Sequence, residues 1–120
     1  MPETLSEAFQ RGAFLFDAGA FFEAHEAWEE RWRIETDPAC RLCLQGLIQV
    51  AAAFHKLIVL GAEEPASRLL ARGLAKLDAC PPSTLDPCIS AFREQLHACA
   101  LATEVGTPNR ARVIPPRLIP

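Results

Sequence analysis

LCLQGLIQVAAAFHKLIVL, residues 42 to 60, decides the fold. It contains no proline, and Gly61 stops it. Its polar interruptions are Gln45, Gln49, His55 and Lys56. Apolar residues fall on nearly every side of a helical wheel, so the segment reads as the central helix of a globular bundle and not as a membrane span. A helix buried on most faces does not carry two glutamines and a histidine without partners, because each unpaired polar group costs about 1–3 kcal/mol. Those partners have to come from another helix with a polar edge of its own.

FFEAHEAWEERW, residues 21 to 32, has such an edge. At about 100° per residue, Phe21, His25, Trp28 and Trp32 fall within roughly 60° of one another, which sets His25 in an aromatic stripe. Glu29, one turn after His25, lies on its shoulder and can touch it. Glu23, Glu30 and Arg33 fall on the far side, and Glu26 lies between the two groups. On the central helix Gln45, Gln49 and Lys56 form one stripe, with His55 beside it beyond Ala52. The simplest packing faces the two polar edges. It predicts a buried pocket of His25, Glu26, Glu29, Gln45, Gln49 and His55, roofed by Trp28 and Trp32.

The remaining punctuation is helical too. Thr4 followed by Glu7 matches a capping box, and Leu5, Ala8, Phe9, Gly12, Ala13 and Phe16 recur at the spacing of an amphipathic helix that Gly19 can end. A second helix is expected over about 20–34. Asp37-Pro38 opens the third, which runs to Leu60, and Glu64-Pro65 opens the fourth, with Leu69, Leu70, Leu74 and Leu77 inward. Asp86-Pro87 repeats the start signal for a fifth helix to about 103. LFDAGAFFEAHEAWEERW has the turn and aromatic placement of a tetratricopeptide hairpin, but no second copy follows, so the hairpin is local geometry. The expectation is an all-α, compact bundle of about five helices over residues 1–105. Residues 106–120, rich in proline, form an extended C-terminal strap on the body or a loose tail.

The chain has 120 residues, half of them hydrophobic, which suits one domain with one core. A net charge of −3 offers no basic excess to neutralise phosphates, so neither nucleic acid nor a membrane surface is the expected partner. MPETLSEAF lacks the basic and apolar regions of a signal peptide, and a cytoplasmic protein is expected. Five cysteines without an export signal are expected to be reduced and structural. Cys40 and Cys43 form a CxxC, but Cys80 and Cys88 complete no compact zinc knuckle with them.

His25, Glu29 and Trp32 as H-x-x-x-E-x-x-W, followed by QGLIQVAAAFH at 45–55 and RLLARGL at 68–74, resemble the prokaryotic family called domain of unknown function 309. The resemblance covers roughly residues 10 to 80. It implies a small all-α fold with no established activity, and a metal site suggested for the motif, which here rests on His25 and Glu29 with Trp32 as the aromatic.

Three readings of the pocket follow. The first is a divalent-metal site of hydrolase type, zinc or manganese on His25, Glu29 and His55, with Glu26 as general base. The second is a buried hydrogen-bond network that fixes helix register. The third is an interaction module whose groove takes a small ligand or a peptide. A short apolar chain with a proline strap is also compatible with a homodimer.

Overall fold

A computed structural model describes residues 3–81, 84–85, 88–104 and 118. Five α-helices make the fold: α1 (Leu5–Asp17), α2 (Phe21–Trp32), α3 (Pro38–Phe54), α4 (Glu63–Ala79) and α5 (Cys88–Glu104), with no strand among the described residues. The capping signals act as expected. The Thr4 hydroxyl accepts from the Glu7 amide at 3.1 Å, and the Glu7 carboxylate accepts from the Thr4 amide at 3.3 Å. The Asp37 carboxylate accepts from the Cys40 amide at 3.0 Å, with Pro38 in the first turn of α3. Gly19 and Gly61 end their helices with φ of 83° and 69°, a conformation that glycine adopts without a Cβ penalty. Asp86 and Pro87 lie outside the described residues, as do 106–117, 119 and 120 of the expected strap.

α3 is the centre. Eight of its residues are buried, against five in α1, four in α2 and five in α4. α2 packs on one side of it and α4 on the other. The α3–α4 crossing is set by two glycines: a Cβ on Gly46 would meet the Gly73 carbonyl at 3.0 Å, and a Cβ on Gly73 would meet the Gly46 carbonyl at 2.8 Å. Backbone faces backbone there, so neither side can yield. By length and hydropathy the run Pro38–Val59 could cross a membrane, but half of its apolar window is buried against the other helices.

α1 and α2 form a hairpin sealed by Trp28. A Cβ on Gly12 would lie 2.1 Å from the indole nitrogen, so the ring occupies the space that the glycine leaves. The indole N–H donates to the Phe9 carbonyl at 3.2 Å. Phe16 joins four aromatic neighbours: Phe21, Trp28, Phe54 and Phe92, with ring centroids 5.1 to 6.1 Å away. Phe92 belongs to α5, so the last helix returns to the first. Leu118 is buried in the same core, and its backbone N–H donates to the Asp17 carboxylate at 2.7 Å.

The third helix differs from expectation at its end. Its α geometry stops at Phe54, and His55–Val59 form a single π turn, in which the Leu60 amide donates to the His55 carbonyl at 3.2 Å. The wider turn rotates every later side chain relative to the α3 wheel.

Candidate functional site

α2 and α3 run antiparallel, and side chains meet where their residue numbers sum to about the same value. Trp32 faces Gln45 and Arg41, Glu29 faces Gln49, and Phe22 faces His55. Between the helices lies an open cavity of about 230 Å³ lined by His25, Glu29, Trp32, Gln45, Ile48 and Gln49. A second cavity of about 380 Å³, lined by Trp32, Pro38, Arg41, Leu42 and Gln45, continues it toward the α2–α3 corner. Trp32 and Gln45 line both, so the two cavities form one groove.

The polar groups in the groove hardly satisfy one another. His25 Nε2 stands 3.6 Å from Glu29 Oε2, beyond hydrogen-bond distance, with the two side chains 25% and 29% exposed. The other Glu29 oxygen meets Arg33 at 3.3 Å. His25 Nδ1 is buried without a hydrogen-bond partner. Gln49 accepts from the Lys76 ammonium at 2.8 Å, and among the described residues Gln45 makes no side-chain hydrogen bond. Gln45 thus keeps its amide donors and acceptor open to the groove, and Gln49 its N–H donors.

Several expectations need correction. The pocket is not buried: no polar side chain among the described residues is, and the cavity between α2 and α3 is open along their polar edges. Trp28 does not roof it. It turns toward α1, where Gly12 and the Phe9 carbonyl receive it. Glu26 is exposed and lines neither cavity. His55 lies six residues beyond Gln49 and lines neither cavity. The Phe22 ring stacks on His25 at 6.1 Å and meets His55 at 5.5 Å, so the histidines share a phenyl ring and not a polar cluster.

The expected zinc or manganese site therefore does not fit its residues. His25 and Glu29 converge, but Glu29 is also engaged by Arg33, and His55 is held at Phe22. Among the described residues no three His, Cys, Asp or Glu side chains gather into a cluster able to hold a metal ion. Burial, with Asp37 beside it, pushes the Cys40 thiol up to about 12, and burial raises Cys43 likewise.

Arg41 and Ile48 were missed. Arg41 lies one turn before Gln45 on the same stripe, so the wheel of α3 contained it. Its guanidinium lies 4.3 Å over the Trp32 ring, and Nη1 donates to the Trp32 carbonyl at 2.6 Å and to the Glu35 carbonyl at 3.0 Å. Beside it Arg31 donates to Glu35 at 2.8 and 3.1 Å, which with two backbone amides holds that carboxyl below its ordinary value. A separate cavity of about 280 Å³ lies among Ala53, Phe54, Leu57, Ala66 and Leu70, with Glu63, Glu64 and Ser67 also lining it. It offers apolar walls and few groups to orient a ligand.

With this geometry in place, comparison with known proteins adds one result. The family model described as a domain of unknown function, DUF309, matches residues 9–76. The chain belongs to that family. The matched region runs from within α1 through most of α4 and holds the whole groove. A relative from Aquifex aeolicus (strain VF5), described as an uncharacterised protein, is 24% identical over 103 residues, 86% of this chain and 31% of its own length. This DUF309 chain thus spans about a third of the relative it matches. No solved structure matches it.

Proposed function

We propose that this DUF309 protein is a binding module whose site is the α2–α3 groove. The supporting observation is the state of the polar groups: a half-buried imidazole, a carboxylate and two amides surround a cavity beside Trp32 without pairing among themselves. A network whose purpose was helix register would be closed, since unpaired groups cost the fold more than apolar replacements would. Open groups around a cavity are what a ligand with complementary donors and acceptors needs. At about 230 Å³ the inner cavity suits a ligand, or part of one, smaller than a typical drug-sized molecule.

Trp32 supplies the apolar platform, and Ile48 the floor. Glu29 accepts a hydrogen bond or meets a cation, while Gln45 presents both a donor and an acceptor and Gln49, its oxygen held by Lys76, presents its N–H donors. The test is a fragment titration followed by the side-chain amide and indole N–H signals. Ligands should move Gln45, Gln49 and Trp32 and leave the Trp28 indole in place. Ile48→Trp fills the cavity without touching a polar group and should abolish those shifts. Binding that persists in Ile48→Trp, or shifts confined to Phe54, Leu57 and Leu70, refutes the assignment.

A further inference from the structure

The outer half of the groove names a class of ligand. Among the described residues Arg11, Arg31, Arg33, Arg68 and Arg93 each lie within ion-pair distance of a carboxylate. Arg41 and Arg72 do not; Arg72 is exposed, whereas Arg41 is half-buried and lines the 380 Å³ cavity. Two carbonyls fix Nη1 and the Trp32 face fixes the plane, while Nε and Nη2 donate to no described residue. A guanidinium held in place with one edge free is arranged to receive a two-oxygen anion side-on.

Spacing extends the argument. Gln45 follows Arg41 by four residues and Gln49 by eight, which at 1.5 Å rise per residue puts the two amides about 6 and 12 Å along the groove from the cation. An extended chain advances about 3.3 Å per residue, so a carboxylate on Arg41 leaves two or three residues of backbone beside Gln45 and Gln49. Gln45 can then pair with a peptide N–H and C=O and Gln49 can donate to a peptide C=O, and Glu29 with His25 closes the far end against a further N–H donor. A compact anion such as inorganic phosphate would occupy only the Arg41 end and leave those amides unused.

We propose that the groove binds the free C-terminal carboxylate of an extended peptide, with Arg41 as its anchor and Gln45 and Gln49 along its backbone. This rests on the groove being a binding site, and the experiment separates the two. A mixture of acetylated tripeptides with free C-termini is titrated onto the protein, beside the same mixture as C-terminal amides and beside suberate. The Trp32 indole and the Gln45 and Gln49 amide signals are followed. The free acids should bind at least about tenfold more tightly than the amides, the worth of one charge-assisted pair. Arg41→Gln should erase that preference. Arg41→Lys, which keeps the charge but not the fork and guards against loss of the α2–α3 corner, should reduce it. Equal binding of acids and amides at Gln45 and Gln49 overturns the carboxylate anchor and leaves the groove standing as a site. Suberate binding as tightly as the acids overturns the peptide. No shift from any probe overturns both readings.

Discussion

Replacing His25 by leucine should stabilise the protein. The imidazole contributes one polar contact, Nε2 to Glu29 at 3.6 Å, between side chains that are 25% and 29% exposed. An exposed pair of this kind is worth about 0–1 kcal/mol, and this one is longer than a hydrogen bond. Against it stands the buried Nδ1, which has no partner and costs about 1–3 kcal/mol. Leucine removes both and keeps apolar contact with Phe22, whose ring stacks on the imidazole at 6.1 Å. The balance favours His25→Leu by about 1 kcal/mol, a rise in Tm of about 4 °C for a domain of this size. Thermal melts and urea midpoints followed by circular dichroism measure it. The same variant should lose the fragment-induced shifts of Gln49, because the far end of the groove is gone. A loss of about 2 kcal/mol or more would show that His25 is a structural partner whose removal leaves another group stranded, and would refute the reasoning.

Gly73→Ala should destabilise by about 1–3 kcal/mol, since the new methyl would lie 2.8 Å from the Gly46 carbonyl and 2.9 Å from Val50 and force α3 and α4 apart; a shift in urea midpoint measures it. Glu35→Gln should cost about 1–3 kcal/mol at neutral pH, because it removes the charge that Arg31 grips at 2.8 Å on a side chain only 9% exposed. The folded carboxyl titrates below its ordinary value, so the stabilisation is present above about pH 4.5 and disappears as pH falls through the folded value. Melts of parent and Glu35→Gln from pH 7 to pH 2 should therefore converge at the acid end, and a constant gap would contradict the assignment.

The helices were legible because local chemistry fixes them. Thr4 with Glu7, Asp37 with Pro38, Gly19 and Gly61 act within a few residues, and the structure places each cap or stop where the spacing puts it. The centrality of α3 followed from apolar residues around its whole wheel. The candidate site was legible only as two edges. A wheel gives direction about one axis, so it set His25, Glu29, Gln45 and Gln49 toward a common cleft. It could not tell that Trp28, 60° from His25 on the same helix, would turn instead into the space above Gly12.

What the sequence by itself determined is therefore the set of helices, their ends and their apolar faces. The tertiary structure decided how deep the cleft lies and which side chains close it. The reciprocal approach of Gly46 and Gly73 draws α4 tightly onto α3. On the opposite flank the bulk of Trp32, with Arg41 laid over it, and the quarter-exposed His25 and Glu29 leave an open groove along α2. The π turn at His55 and the clamp of Arg41 on two carbonyls are equally non-local. They depend on where one backbone lies against another, which no pattern along a single chain records.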